Sequence, residues 1–304
     1  MNDLFKGAKA NDSKDLVNFI IMRLHEELNE GKKITNNIMA PPQEDQMSMY
    51  NYFKMNNDLE NKSIISDLFY GINGTMNKCS YCKTTKHNFQ IGFFYIFPLE
   101  EIRKFKIQNL QNQFLQNMQQ CFMQPQIGQM FPFNMNNSNS LMQFCQPQFA
   151  NFQNINSVTI ADCFDFNQKM ETMSGENSMY CNICKRQETA FYKSYIVTSP
   201  EIIIIILNRG KGIEFNVKLE FEEFLNLQKY VQMDNNKSIY NLIGVVTHLG
   251  ESGASGHFIA YCKSPINNQW YNYNDELVFP VNDFKKQVID YGMPYILFYQ
   301  RINY

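Results

Sequence analysis

Four cysteines in two C-x-x-C pairs, Cys79 with Cys82 in "NKCSYCKTT" and Cys181 with Cys184 in "MYCNICKRQ", constrain this chain more than any other feature. Each pair sits in a turn-like context, and together the four thiolates make the donor set of a closed tetrahedral Zn²⁺ site, with sulfur about 2.3 Å from the metal. If the pairs meet, two segments remote in the chain must be neighbours. A site of this kind is structural and leaves no coordination position for water. The stretch between the pairs is far longer than a compact zinc ribbon needs, so spacing alone leaves open two unrelated turns or a redox pair. The chain holds eight cysteines and opens on "MNDLFKG", which lacks the basic n-region and apolar core of a signal peptide. An intracellular chain, cytoplasmic or nuclear, with metal ligands and free thiols in place of disulfides is the expectation.

Much of the separation between the pairs comes from one unusual run. From Ile107 to Ala161 no residue is charged, and Gln, Asn, Met and Phe dominate. Polar tracts of this sort bury too little apolar area to offset the entropy of ordering, so most of residues 107–157 is expected to be a disordered or loosely packed insertion. Cys121 and Cys145 fall inside it without paired spacing and are expected to be plain thiols.

The rest of the chain carries the marks of a folded α+β protein. "SKDLVNFIIMRLHEEL" places Leu16, Phe19, Ile20, Leu24 and Leu28 on one stripe, with Asn11, Asp12 or Ser13 available as a cap and Gly31 as a stop, which predicts an amphipathic helix. Residues 32–62 are polar and give no clear pattern. After the second cysteine pair, "TAFYKSYIVTSPEIIIIILNRG", "SIYNLIGVVTHLG", "GHFIAYCKSP", "QWYNYNDELVFPV" and "PYILFYQRI" read as extended segments joined by turns, hence a largely antiparallel sheet. The run Ile202–Leu207 is too short to cross a bilayer and suits a strand covered on both faces. A net charge of −2 gives no electrostatic case for wrapping nucleic acid. The expected partner is a protein, with no nucleic acid and no membrane.

One histidine stands out. In "GASGHFIAYCKSP" side chains alternate along the strand, so His257, Ile259 and Tyr261 share one face while Phe258, Ala260 and Cys262 point the other way. Cys262 therefore cannot serve His257 as a nucleophile. Downstream, "WYNYNDE" ends a second strand with Asn274 and Asp275, either of which could accept a hydrogen bond from the imidazole and set its tautomer. A histidine in such a place is more often a packed structural residue than a general base, and the residues alone leave both readings open.

These stretches together resemble the ubiquitin-specific proteases, papain-like cysteine peptidases that remove ubiquitin. "HLGESGASGHFIAYCKSPINNQWYNYNDELV" is similar to that family's histidine box, in which a G-H-[YF] strand supplies the base and a W-Y-x-[YF]-[ND]-D strand the third residue. The cysteine pairs resemble the zinc knuckles of its fingers region, "SVTIADCFDF" the segment before the second knuckle, and "MPYILFYQRI" its closing strand. "EIIIIILNRG" is similar to a strand ending in L-K-R-F, with Asn208 and Gly210 in place of the lysine and the aromatic. The resemblance implies one partial domain over 1–304: a thumb remainder in 1–70, fingers in 71–102 and 158–200, the insertion, and a mostly antiparallel palm in 201–304. It implies that His257 is the general base, that Asn274 orients it with Asp275 as a possible substitute, and that Cys79, Cys82, Cys181 and Cys184 hold structural Zn²⁺. His248, Gly256 and Phe258 would line the channel for the glycine-ended tail of ubiquitin, and ubiquitin or ubiquitinated proteins would be the partners.

The family's G-N-T-C-Y type box, with its nucleophilic cysteine, has no counterpart in these residues, and the expectation is that the N-terminal part of the thumb is missing. Four cysteines look like zinc ligands, two lie in the uncharged run, Cys163 precedes a knuckle and Cys262 faces away from His257. The implied activity is thiol-dependent hydrolysis at the ubiquitin C-terminus, a cysteine-type deubiquitinase by family, with this chain alone not competent. Two alternatives remain: a non-catalytic ubiquitin-binding relative, and, more remotely, a zinc-stabilised interaction module. Without the front of the thumb, the stripe from Leu16 to Leu28 is expected to lack part of its cover.

Overall fold

The computed structural model describes residues 12–32, 45–122, 152, 154–210, 212–233, 238–250 and 256–302. Three helices lead: α1 (Ser13–Leu28), α2 (Gln46–Glu60) and α3 (Ile64–Phe69). The strands β1 (Gly71–Cys79), β2 (Thr85–Gly92) and β3 (Tyr95–Pro98) follow, then the long α4 (Leu99–Phe122), β4 (Ser157–Thr159) and α5 (Ile160–Asn167). The second half is strands: β5 (Glu171–Met173), β6 (Met179–Cys181), β7 (Arg186–Glu188), β8 (Ala190–Thr198), β9 (Ile202–Asn208), β10 (Lys218–Glu220), β11 (Phe224–Asn226), β12 (Ile239–Leu249), β13 (His257–Lys263), β14 (Trp270–Asn274), β15 (Leu277–Pro280) and β16 (Pro294–Arg301).

The largest sheet runs in the order β15-β14-β13-β12-β16-β9-β3, with β11 added beside β12. All its pairings are antiparallel except β3 with β9. A second sheet, β2-β1-β8-β5, is the fingers sheet, and β6 and β7 form a small hairpin at its tip. The architecture is α+β with a mostly antiparallel palm. No helix among the described residues is long and apolar enough to cross a membrane.

The isoleucine run shows why the sheet sits where it does. Ile203, Ile205 and Leu207 enter the main core with Phe97, Leu99, Ile102, Phe164 and Leu297. Ile204 and Ile206 face the opposite side, against Ile21 of α1, Ile65 of α3 and Ile296. A β-branched strand buried on both faces is the arrangement its composition favours, and each fully buried aliphatic chain contributes about 1.5–3 kcal/mol.

Helix α1 is capped by Asp12, whose Oδ1 accepts from the Lys14 N–H at 3.0 Å. It docks through Val17, Ile21 and His25, one position round from the expected stripe. Leu16, Ile20, Leu24 and Leu28 are each 42–48% exposed. Periodicity identifies an apolar face, yet β-branched Val17 and Ile21 are the residues that meet the isoleucines of the sheet. His25 is held by Ser63 Oγ at 2.8 Å and Asn61 Oδ1 at 3.1 Å, which ties α1 to the cap of α3.

Two boundaries differ from expectation. Residues 107–122, the start of the uncharged run, continue α4 as helix. Leu99 and Ile102 anchor its first turns in the core, Arg103 pairs with Glu100 at 2.6 Å, and the Gln and Leu residues that follow are good helix formers. The remainder of the expected insertion, including Cys145, lies outside the described residues apart from its last few positions. Of residues 95–102, expected in the fingers, Tyr95–Pro98 form β3 and pair with β9 of the largest sheet, while Leu99 and Ile102 enter the main core. Likewise β4 and α5 pack Val158, Ile160, Cys163 and Phe164 into the main core. Within 32–62, where no pattern was legible, α2 seats Tyr50 and Phe53 on Phe89 of the fingers sheet.

Candidate functional site

Two groups of residues carry chemistry. At the tip of the fingers, the Sγ atoms of Cys79, Cys82, Cys181 and Cys184 all lie within 4.8 Å of one another. Cys79 to Cys184 is 3.9 Å and Cys82 to Cys181 is 3.6 Å. A tetrahedron with 2.3 Å metal–sulfur bonds has edges of about 3.8 Å, so the spacing fits a four-thiolate metal site. The two turns share one backbone design. Lys83 N–H donates to Cys79 O at 3.1 Å and Lys185 N–H to Cys181 O at 2.8 Å. Lys83 has φ of 63° and Lys185 of 57°, left-handed values that cost a non-glycine residue about 1 kcal/mol and that bend the chain back over the sulfurs. Hydrogen bonds from Thr84 lower Cys82 to about 6. Desolvation, with the neighbouring sulfurs, raises Cys184 to about 12. Four thiolates this close repel one another, and a soft divalent cation removes that repulsion.

At the end of the palm sheet, His257 Nε2 lies 2.6 Å from Asn274 Oδ1. The pairs Tyr261 with Asn272 and Ala260 with Tyr273 set the register of β13 on β14. His257 and Asn274 are thus diagonal neighbours on one face, within reach of each other. A carbonyl oxygen accepts, so Nε2 carries the proton and the lone pair is left on Nδ1. Asp275 is one step further out, with Oδ2 3.7 Å from the same nitrogen, and its backbone turns through φ of 51°. Asn274, not Asp275, therefore holds the ring.

The other three site residues adjoin this pair. His248 is opposite Phe258 in the β12–β13 ladder, on the face away from His257. It is buried and packed edge-on against Phe215 at 5.4 Å and Phe258 at 4.8 Å. Desolvation lowers its basicity, with Asp12 opposing and His257 adding to the effect. Phe258 in turn meets Tyr295 at 5.1 Å, and Tyr295 Oη donates to Asp12 Oδ2 at 2.9 Å. Gly256 sits directly on His248: a Cβ there would lie 2.3 Å from its Cε1 and 2.4 Å from Leu249 O. Gly256→Ala is therefore expected to cost about 1–3 kcal/mol, read as a fall in the unfolding midpoint.

The remaining described cysteines do not approach His257. Cys163 is buried in the core, where burial pushes its thiol far up. Cys262 is five residues along β13 on the opposite face, and burial raises it as well. The side chains of Cys121 and Cys145 lie outside what is described. Sequence reasoning offered Asp12 only as a helix cap and did not single out Tyr295, its partner in joining α1 to the histidine strand, or the carbonyl-binding role of Arg209. A lone tyrosine and a lone aspartate so far apart in the chain give no spacing signal.

Comparison with known proteins agrees with this geometry. The family model described as ubiquitin carboxyl-terminal hydrolase matches residues 1–299. Ubiquitin carboxyl-terminal hydrolase 2 of Bos taurus is 29% identical over 149 residues, covering 47% of this chain and 24% of the relative. The same-named protein of Gallus gallus is 30% identical over 149 residues, covering 47% of this chain and 41% of the relative. Among solved structures, a SAGA DUB module containing Ubp8 aligns with a TM-score of 0.57 at 18% identity, covering 99% of this chain and 52% of that one. A second, bound to monoubiquitin, aligns with a TM-score of 0.58 at 17% identity, covering 96% and 49%. The chain thus spans about half the length of these solved chains and less than half of the curated relatives. A family match along almost the whole chain, over one sheet that pairs His257 with Asn274 and a second with four cysteines gathered at its tip, places this chain in the ubiquitin carboxyl-terminal hydrolase family, as a domain of the ubiquitin-specific protease type.

Proposed function

We propose that this domain recognises ubiquitin, with His257 as the general base of a thiol peptidase site and Asn274 as its orienting residue. The observation that carries the reading is the 2.6 Å contact between His257 Nε2 and Asn274 Oδ1. It leaves Nδ1 as the basic nitrogen, free to take a proton from a nucleophilic thiol and return it to the leaving amine. Gly256 and Phe258 flank the channel for the ubiquitin tail. His248 serves that channel from below, as the support on which Gly256 rests. Cys79, Cys82, Cys181 and Cys184 hold Zn²⁺, which clamps the two knuckles and shapes the fingers. By this reading the three helices before β1 belong to the thumb, the β2-β1-β8-β5 sheet to the fingers, and the large sheet with β3 and α5 to the palm.

Within these residues no described cysteine stands near Nδ1, so the chain by itself binds ubiquitin without cleaving it. Base and orienter have no thiol to activate, and loss of a nucleophile costs many orders of magnitude in rate. Two measurements test this. A ubiquitin probe with a thiol-reactive C-terminus is expected to leave every cysteine unlabelled, and zinc-loaded protein is expected to bind free ubiquitin in calorimetry. Labelling of any cysteine would overturn the assignment of a non-cleaving chain, and absence of binding up to millimolar ubiquitin would remove ubiquitin as the ligand.

A further inference from the structure

Beyond Asn274, on the side away from His248, the palm sheet ends in β15, whose four residues are all exposed. Among the described residues β15 is the terminal strand, paired only with β14. Its register sets Leu277 opposite Asn274 and Phe279 opposite Asn272. Opposed residues share a face, so Leu277, Asn274 and His257 form one line across three strands, with Phe279 beside it. Leu277 is 57% and Phe279 51% exposed. Adjacent exposed apolar chains beside the His257–Asn274 pair form a contiguous patch, and such patches mark contact surfaces. The turn joining β14 to β15 adds two carboxylates, Asp275 and Glu276, both exposed.

The layout divides the surroundings of His257 in two. Gly256, His248 and Phe258 adjoin the β12 side, where the ubiquitin tail enters on the reading above. The β15 side then faces the other half of a ubiquitin conjugate. We propose that Leu277 and Phe279 form a platform for the acceptor polypeptide, the chain whose lysine is joined to ubiquitin. The conjugates it favours carry an apolar residue near that lysine, with basic residues facing Asp275 and Glu276. Specificity here comes from apolar area and opposite charge just outside the catalytic pair, and it rests on the proposed ubiquitin recognition.

The test compares three ligands by calorimetry on the zinc-loaded chain: free ubiquitin, ubiquitin joined through an isopeptide bond to a Leu/Val/Arg-rich peptide, and ubiquitin joined to a Ser/Glu-rich peptide of equal length. Burial of two apolar side chains predicts about tenfold tighter binding of the first conjugate than of free ubiquitin, and no gain for the second. The double variant Leu277→Ser, Phe279→Ser should lose the gain while keeping its unfolding midpoint and its affinity for free ubiquitin. Equal affinity for both conjugates, or a gain that survives in the variant, overturns the platform alone. A variant that also loses free ubiquitin assigns the surface to ubiquitin itself and overturns the acceptor role. If none of the three ligands binds, the platform and the ubiquitin reading fail together.

Discussion

Stripping the metal from the four-cysteine cluster is expected to unfold the tip of the fingers while leaving the palm folded. The hairpin β6–β7 has three residues per strand, and an isolated two-stranded hairpin is marginal in water. Among the described residues, what ties it to the first knuckle is slight: the sulfurs, Arg186 over the Tyr81 ring at 4.9 Å and, just beyond β7, the bond from Ser80 N–H to Thr189 O at 2.8 Å. Structural zinc contributes about 10–16 kcal/mol of apparent binding free energy in small finger peptides, far more than this hairpin holds by itself. Metal analysis should return about one zinc per chain. Chelation, or Cys181→Ser, should abolish hydrogen-exchange protection in residues 174–189 and lower the unfolding midpoint, whereas β9 and β16 should stay protected. Cys262→Ser is the control, since its sulfur takes no part in the cluster. A tip that stays protected after chelation would show that packing, not metal, holds the knuckles together.

The cysteine cluster was legible in the sequence because two C-x-x-C turns offer four donors of one type, and their sulfurs do come within 4.8 Å of one another. The pairing of His257 with Asn274 was legible in part: the residues alone offered Asn274 or Asp275, the family resemblance favoured Asn274, and strand alternation excluded Cys262. The isoleucine run announced a strand buried on both sides. Other parts carried no comparable signal. Helix α2 mixes Met, Asn and Tyr without a stripe, and it is held by two aromatic residues on Phe89, a contact that exists only once the fingers sheet has formed. The extension of α4 through residues 107–122 was hidden because a lack of charge reads as disorder, although glutamine and leucine favour helix once the first turns are anchored. The docking face of α1 was missed because periodicity reports apolar positions and not their fit to a partner surface.

Loss of Arg209 should cost much stability, and the sequence marked it only as the arginine of a stretch similar to L-K-R-F. It is 2% exposed, at the end of β9. Its Nε donates to Pro294 O at 2.7 Å, Nη1 to Val217 O at 2.6 Å and Phe215 O at 3.2 Å, and Nη2 lies 3.5 Å from Gly292 O. No carboxylate is among these partners; four backbone carbonyls share the charge. Burial pulls its pKa down to about 10, so the guanidinium remains charged at neutral pH. A planar fork with five donors can satisfy carbonyls from two separate segments at once, which a lysine ammonium cannot. Arg209→Met should keep much of the volume yet orphan those carbonyls, at about 3–5 kcal/mol, or roughly 10 °C in the unfolding midpoint. Arg209→Lys should recover only a minor part of it. The effect should also reach the site, because Phe215, whose carbonyl Arg209 binds, packs on His248 at 5.4 Å, and His248 supports Gly256. Ubiquitin affinity is therefore expected to fall in Arg209→Met even at temperatures where the protein is folded. A midpoint within about 2 °C of the parent chain, equivalent to under about 1 kcal/mol, would mean that the carbonyls find other donors and that the guanidinium is not what joins β9 to the segment entering β16.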